Sequence, residues 1–339
     1  MYPSAGNVAV SIGRQVTAHV GGVHRCGSAW SCPICAPVVR ERRAREIESA
    51  AVQHLAAGGG LLLLTLTIRH ARHDALGPRL RLLATSAHDL LKGAGWTRRQ
   101  RRLGWVGAIK SLEITYGGNG WHPHAHVLLF LDRPLSAGDL DDLRTFLHGR
   151  WAGIVERAGF GTINRKHGVD LRVVDNGDAL GDYLTKVEAK GRRWTVGQEL
   201  ARADLKRGRV DSLVPFELLA DFCATGDVAS ATLWQEYEAA TFGKQAVRWS
   251  DGLKDRFGVR KIDDVEAAAA EGEDVETYFR WLIEAALWRR ILRERRAGQV
   301  LDDLEDEAAR RFALAAAVGI DLEPLEDGHA TDLLVDAPP

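Results

Sequence analysis

The sequence predicts an α+β protein whose core is a mainly antiparallel sheet with flanking helices. Residues 61–68 form a short apolar run with two threonines, which is typical of a buried strand. Two further apolar runs flank Gly117-Gly118-Asn119-Gly120, a pattern that favours a β-hairpin. Most of the remaining segments carry longer apolar periodicities typical of helices. Hairpins and helices in this order favour an α+β architecture.

Length and composition indicate a globular chain of one or two domains. The chain has 339 residues, of which 45% are hydrophobic, so it can bury a substantial core. It has no apolar run of membrane-spanning length and no signal-like N-terminus. We therefore expect a cytoplasmic protein with no membrane partner.

The charge of the chain is unevenly distributed. Residues 1–200 hold 27 Lys and Arg against 17 Asp and Glu, whereas residues 301–339 hold 2 against 11. A basic N-terminal part is expected if the substrate is a polyanion such as DNA. The acidic end is expected to be a solvated tail.

Three of the four cysteines lie within ten residues. Cys32 and Cys35 have the Cys-x-x-Cys spacing that brings two thiolates to one tetrahedral zinc ion, and Cys26 can supply a third. We predict structural zinc, with free thiols or a redox pair as the alternative. The fourth ligand stays open between His24, His19 and Cys223.

Two arginine-rich helices are predicted before the hairpin. The first, over residues 37–55, either presents a solvated face or contacts phosphates; its arginines are Arg40, Arg42, Arg43 and Arg45. The second covers residues 77–103 and ends in an arginine cluster around Trp96, a composition compatible with gripping single-stranded DNA. That cluster comprises Arg98, Arg99, Arg101 and Arg102.

The hairpin carries a candidate site for a divalent metal ion. If Asn119-Gly120 forms the turn, Glu113 lies opposite His126, and Thr115 lies opposite His124. Because strand side chains alternate, the carboxylate and both imidazoles would share one sheet face. One oxygen and two nitrogen ligands suit such an ion. The alternative is a pair of half-buried histidines with no ligand.

The elements after the hairpin are mostly helical in this prediction. We expect a helix over residues 136–158, a strand over 169–174 and a helix over 178–190, whose apolar stripe includes Tyr183. Further helices are predicted around residues 215–219 and 233–237, and over 275–297. No phosphate-binding loop motif is present, so no built-in ATPase is expected.

The motif His124-Ala125-His126 resembles the His-hydrophobic-His motif of HUH endonucleases, specifically actinobacterial plasmid rolling-circle replication initiators. Other stretches also resemble these proteins: Cys32-Pro33-Ile34-Cys35, the Leu-Thr-Leu-Thr of residues 64–67, Tyr183-x-x-Lys186 and residues 242–250. The resemblance implies a HUH (RRM-like) core that binds Mg²⁺ or Mn²⁺ through Glu113, His124 and His126.

The resemblance also implies a reaction and partners. Tyr183 would attack DNA at a plasmid origin, leaving a 5′-phosphotyrosine and a free 3′-hydroxyl, with assistance from Lys186. Host helicase and polymerase would be partners. The chain departs from related initiators at Ala179, where they have a glutamate, which leaves the activation of water for termination open.

The sequence divides into four predicted segments. These are an N-terminal zinc-binding element with the basic helix (1–57), an endonuclease core (58–195), a helical region (196–300) and an acidic tail (301–339). Two rival functions remain: a relaxase or single-tyrosine transposase of the same chemistry, and a zinc-stabilised DNA-binding regulator without catalysis.

Overall fold

The computed structural model describes residues 6–164, 166–174, 212–269, 276–294, 296–325 and 332–334. The strands are β1 Val8–Ile12, β2 Ala18–Gly21, β3 Gly60–Thr67, β4 Trp105–Gly117, β5 Gly120–Leu131, β6 Val169–Val174, β7 Ser212–Leu213, β8 Val247–Trp249, β9 Phe279–Ile283 and β10 Asp332–Leu334. The helices are α1 Cys35–Ala56, α2 Leu76–Leu90, α3 Ala94–Leu103, α4 Ala137–Arg157, α5 Pro215–Thr225, α6 Val228–Thr241, α7 Leu253–Arg256, α8 Asp264–Ala269, α9 Ala285–Arg293 and α10 Ala297–Ala317.

The chain groups into two units. One contains Met1–Gly27 and Asp263–Pro339, and the other contains Ser28–Ile262. The two units divide the chain differently from the four consecutive segments predicted from the sequence. Within the described residues, no helix is both long enough and apolar enough to span a lipid bilayer.

The larger unit contains a six-stranded sheet in the order β6-β3-β5-β4-β7, with β8 also paired to β4. Every pairing in this sheet is antiparallel. The fold-class prediction is therefore confirmed. The hairpin strand β5 lies between β3 and β4, so its side chains have neighbours on both sides.

Helices cover both faces of this sheet. On one face, Ile47 and Leu55 of α1 join Leu61, Leu63 and Phe130 in a buried cluster. On the other face, α2 packs against β5 and α4 packs against α2 and β6. Because β3 is buried on both sides at this end, its sequence is continuously apolar rather than alternating.

Two predicted helices differ from the structure. Residues 77–103 form two helices, α2 and α3, because the chain turns at Gly93, whose φ of 82° is left-handed. Residues 275–297 were wrongly predicted as one helix. Residues 279–283 form strand β9, and only then does α9 begin at Ala285. The strand is held by pairing with β1, a partner distant in sequence.

The smaller unit is a second sheet, in the order β10-β9-β1-β2. Val8, Val10 and Ile12 pack with Trp281 and Trp288 in its core. Leu304 and Ala308 of α10 belong to the same core. The beginning of the predicted acidic tail is thus a packed helix rather than a solvated end.

Lys110 of β4 is partly buried on the face that α2 covers, where its ammonium group donates a hydrogen bond to the carbonyl of Ala84. Burial, assisted by Arg248, lowers the pKa of Lys110 to about 8 from its usual 10.5. Below pH 8 the lysine is charged in both the folded and unfolded states, so the folded state bears the desolvation cost. Above pH 10.5 that cost disappears.

We therefore predict that wild-type stability rises relative to Lys110→Met as pH increases from 8 to 10.5. The difference in unfolding free energy should change by about 2–3 kcal/mol over this range. Urea unfolding of both proteins at the two pH values measures it. Lys92→Met, at an exposed lysine, is the control. If the difference in unfolding free energy between wild type and Lys110→Met does not change with pH, Lys110 is solvated.

Candidate metal centre and nucleic-acid interface

The hairpin forms as predicted, but its turn lies one residue earlier. Gly117 pairs with Gly120, so Gly118 and Asn119 form the turn. The positive φ falls on Gly120, at 83°, and not on Asn119. A side chain at Gly120 would meet the backbone carbonyl of Arg72, at 2.8 Å from the added Cβ. Glycine is therefore needed directly after the turn, where the backbone approaches another loop.

This turn shifts the predicted pairing by two residues. Glu113 lies across from His124 and not from His126, and Thr115 lies across from His122. The specific pairs predicted from the sequence are therefore wrong. Because the shift is even, the prediction that Glu113, His124 and His126 share one face still holds.

The sheet face that carries these residues changes character along its length. At one end it is apolar and is covered by α1, as described for Leu61, Leu63 and Phe130. At the other end the same alternating positions are polar in all three central strands. They are Thr65 and Thr67 on β3, Ser111, Glu113 and Thr115 on β4, and His122, His124 and His126 on β5.

Hydrogen bonds orient both histidines of the motif. The His126 Nε2 atom lies 2.7 Å from Glu113 Oε2, and both side chains are largely buried. The Nδ1 atom of His126 lies 3.1 Å from Thr65 Oγ1. The Nδ1 atom of His124 lies 3.2 Å from Thr67 Oγ1. Each imidazole is thus held through Nδ1 by a threonine directly across the strand pair.

Two more histidines extend this row along the same face. The rings of His124 and His122 have centroids 4.0 Å apart, and His122 is 4.3 Å from His70. The centroids of His124 and His126 are 6.1 Å apart, with their planes at 24°. The result is a line of four imidazoles beside one carboxylate.

The donor set suits a divalent ion, although a bound ion would require a local change. Within the described part of the chain, the ligand atoms of Glu113, His124 and His126 do not all lie within 4.8 Å of one another. His126 Nε2 contacts Glu113 directly, so this contact would have to open. A threonine hydroxyl can donate or accept, so it supports either imidazole tautomer at Nδ1. Ser111 Oγ, buried across from His126, has no hydrogen-bond partner among the described residues.

The predicted nucleophile and its helper cannot be placed. Tyr183, Lys186 and Ala179 lie outside the described residues. Two other tyrosines of the same unit are unsuited to the site. Tyr116 is on β4 at a position facing away from Glu113, and Tyr237 is 3% exposed. Tyr278, in the other unit, is 5% exposed.

The predicted cysteine cluster is present. The sulfur atoms of Cys26, Cys32 and Cys35 all lie within 4.8 Å of one another. The backbone N–H of Cys35, the first residue of α1, donates to Cys32 Sγ at 3.3 Å. A helix N-terminus and an N–H donor both favour the thiolate form that a metal requires. The cluster could hold zinc, but none of the predicted candidates for the fourth ligand, His24, His19 and Cys223, joins it.

Two of the arginines predicted on the surface of α1 have structural roles. Arg40 is 3% exposed, donates to the carbonyl of Ala29 at 2.7 Å and lies over the ring of Trp30. Arg43 is also buried and contacts Glu46 and the Ile262 carbonyl. Neither the solvated-face nor the phosphate hypothesis holds for these two side chains.

Trp96 cannot stack on DNA bases. It is 1% exposed and packs against Trp105 and Phe146, with centroids at 5.1 and 6.4 Å. The prediction that α3 presents an aromatic side chain together with its arginines is therefore wrong in its aromatic part. Arg98 and Arg101 of the same helix are exposed.

Sequence reasoning missed the threonines as part of the site. The alternation in residues 64–67 was interpreted as a buried strand, although two hydroxyls spaced by two residues signal one polar face. Which histidine each threonine would meet depends on the β3–β5 register. His70 follows the end of β3, and its sequence context gives no comparable signal.

Comparisons with known proteins find sequence similarity to replication proteins. A sequence model of a family described as "Replication protein" matches residues 19–179, a range that contains the cysteine cluster and the histidine face. The chain is 29% identical over 342 residues to "Protein rep" of Streptomyces lividans, covering 81% of this chain and 74% of that protein. It is 32% identical over 135 residues to "Neomycin resistance protein" of Streptomyces cyanogenus, covering 32% and 31%.

We predict that Thr65→Val and Thr67→Val each weaken Mn²⁺ binding by about tenfold, because the nearly isosteric valine no longer orients the imidazole. Titration calorimetry with Mn²⁺ measures the loss. Thr115→Val is the control, because Thr115 lies on the same face but has no hydrogen bond to a histidine within the described chain. If all three variants bind Mn²⁺ with equal affinity, Thr65 and Thr67 do not orient the imidazoles for metal binding.

We predict that Cys32→Ser lowers the zinc content and lowers the melting temperature by roughly 5–10 °C, since structural zinc contributes folding free energy. Elemental analysis and a thermal melt measure the two effects. Cys223 is an exposed cysteine on α5 that lies outside the cluster, so Cys223→Ser is the control and should alter neither value. The structural-zinc proposal fails if the Cys32 variant keeps both values.

Proposed function

We propose that this chain, whose residues 19–179 match the model of the replication protein family, is a plasmid replication initiator that nicks one strand of single-stranded origin DNA. The nick would leave a 5′-phosphotyrosine and a free 3′-hydroxyl from which a host polymerase extends the strand, after a host helicase has opened the duplex. The observation that carries the proposal is the polar sheet face. A carboxylate and two threonine-oriented imidazoles converge there in the centre of the sheet.

The residues of this face have distinct roles in the proposed reaction. Glu113, His124 and His126 would hold Mg²⁺ or Mn²⁺. When bound, such an ion polarises the scissile phosphate and offsets the charge that develops in the transition state. Thr65 and Thr67 keep the imidazoles in position, and the change that ion binding requires is the opening of the contact between His126 and Glu113. The buried strands beneath the face keep these groups on a rigid support.

Tyr183 would be the nucleophile. Its phenol oxygen forms a bond to phosphorus while the bond from phosphorus to the 3′-oxygen breaks. The phenol proton passes to water, and the leaving 3′-oxygen takes up a proton to become a hydroxyl. The covalent phosphotyrosine conserves the energy of the broken bond, so the strand can later be rejoined. Lys186 would neutralise phosphate charge or lower the pKa of the phenol.

The positions of the other tyrosines support this assignment. The chain contains five tyrosines. Tyr116 lies at a strand position that faces the opposite side of the sheet from Glu113, while Tyr237 and Tyr278 are buried. Of the tyrosines in the described residues, none therefore combines exposure with a position on the face of Glu113. Tyr183 is also in the only sequence context that resembles the nucleophile motif of the initiators.

Two alternatives lead to different experiments. A relaxase or single-tyrosine transposase would make the same covalent bond but act on a transfer origin or an element end. A zinc-stabilised DNA-binding regulator would use the cysteine cluster but form no covalent bond. The polar face argues against the regulator, because that function gives no role to a carboxylate and three histidines on one face of the sheet.

We predict that wild-type protein forms a covalent adduct with single-stranded origin DNA in the presence of Mn²⁺, and that Tyr183→Phe abolishes it while DNA binding persists. Denaturing gel electrophoresis separates adduct from free DNA. Tyr116→Phe is the matched control and should retain the adduct. If the adduct survives in Tyr183→Phe, another tyrosine is the nucleophile. If wild type forms none, the nicking proposal fails.

A further inference from the structure

An open groove runs between α2 and α4, which cover the sheet face opposite the histidines. Its volume is about 740 Å³, and Leu82 and Ile154 contribute apolar parts of its lining. Two glycines on α4, Gly149 and Gly153, also line it. An added Cβ at Gly149 would meet nothing within 4 Å. The groove is thus wide because α4 has no side chains at these positions.

The charged lining of the groove is mainly basic. Lys92, Arg150 and Arg157 line it together with a single acid, Asp89. Asp89 forms an ion pair with Lys92. Arg150 donates to the backbone carbonyl of Asp89 at 2.6 Å, which orients its guanidinium group but neutralises no charge. Its Nε atom is buried and has no hydrogen-bond partner within the described residues.

Neighbouring arginines show that this lack of neutralisation is local. Arg102 of α3 pairs with Asp142 at 2.7 Å, and Arg144 of α4 pairs with Asp141 at 2.6 Å. In the part of the chain that is described, no carboxylate lies within ion-pair distance of Arg99, Arg150 or Arg157. Helices α3 and α4 therefore carry one group of arginines that is paired with carboxylates and another group that is not.

Arg99 connects α3 to this unneutralised group. Its guanidinium carbon lies 3.9 Å from the centroid of the Phe146 ring, and that of Arg150 lies 5.5 Å from the same ring. Phe146, Arg150 and Arg157 occupy one stripe of α4, at intervals of four and seven residues. Arg150 and Arg157 are two turns apart, about 10 Å along the axis, so they can meet separate phosphates.

Helix-end electrostatics explains only part of this arrangement. Lys92 follows the last turn of α2 and Arg157 is the last residue of α4, where the helix dipole favours cations. Arg150 lies seven residues before the end of α4, beyond the range of that effect. The helix dipole therefore does not explain the position and orientation of Arg150.

We propose that the groove between α2 and α4 binds the sugar–phosphate backbone of duplex DNA. This second contact rests on DNA being the substrate, but not on the tyrosine chemistry. Duplex is favoured over single-stranded DNA because the groove offers no aromatic platform for unstacked bases. Trp96 is buried, and Phe146 is engaged by Trp96 and Arg99. Contacts to phosphates alone position a protein without reading sequence.

The position of the groove gives it a separate role from the histidine face. Lys110, on the face opposite Glu113, reaches the carbonyl of Ala84 in α2, so α2 covers that opposite face. The chain would hold duplex on one side of its sheet and present the metal ligands to a single strand on the other. Such a division suits a protein that must stay bound near an origin while it cuts.

The test places a carboxylate in the groove without removing any native contact. Gly149→Glu fits the open space and replaces a helical glycine by a better helix former. Gly138→Glu makes the same change on the same helix, where an added Cβ also meets nothing within 4 Å. Residue 138 is about 16 Å from residue 149 along the axis, beyond the screening length of about 10 Å at 0.1 M salt.

We expect Gly149→Glu to weaken binding to a random-sequence duplex at least about tenfold, through like-charge repulsion with the phosphates. Gly138→Glu should stay close to wild type. Fluorescence anisotropy with full-length protein and no divalent metal measures this, and circular dichroism confirms folding. The groove proposal is overturned if Gly149→Glu binds duplex with the affinity of wild type. It is also overturned if Gly138→Glu loses as much affinity as Gly149→Glu.

A second measurement uses the salt dependence of the same binding. Arg157→Gln removes an exposed charge that has no ion pair within the described residues, so the slope of log K against log salt should fall by about 0.9. Arg102→Gln, whose guanidinium pairs with Asp139 and Asp142, should leave the slope unchanged. An unchanged slope for Arg157→Gln contradicts the proposal. Because neither assay needs nicking, loss of the covalent adduct in Tyr183→Phe would not affect them.

Discussion

The candidate site depends on the register of β5 between its two neighbours. Antiparallel pairing with β3 places Thr65 beside His126, and pairing with β4 places Glu113 beside His124. A shift of one residue would turn both histidines to the opposite face of the sheet, which α2 covers. There they would meet leucines rather than hydroxyls and a carboxylate. Because the leucines of β3 and β5 are buried on both faces of the sheet, such a shift would be costly. The core therefore specifies the site.

One sheet face serves both stability and the proposed chemistry. Its apolar end packs under α1, and its polar end carries the imidazole row. The polar end avoids much of the cost of burial because threonine and glutamate satisfy the ring nitrogens of His126. Placing the candidate ligands on central strands rather than on loops gives them a rigid support. The centre of the sheet in this chain is thus its candidate reactive surface.

The arginines of the larger unit fall into three groups with different physical roles. Arg40 and Arg43 are buried and hold the start of the unit together through backbone carbonyls. Arg102 and Arg144 are neutralised by aspartates on the surface. Arg150, with Arg99 and Arg157 beside it, is oriented but not neutralised. The net basic charge of the N-terminal part therefore says less about DNA binding than which of its arginines are paired with carboxylates.

The sequence by itself determined the local features: strand β3, the hairpin, the cysteine spacing, and the sharing of one face by Glu113, His124 and His126. These follow from alternation and turn chemistry, which act over a few residues. The tertiary structure decided the exact pairs, the role of the threonines, the burial of Trp96 and the strand at residues 279–283. Each of these depends on a partner distant in the chain, because contacts between strands and between helices are set by packing and not by local preference.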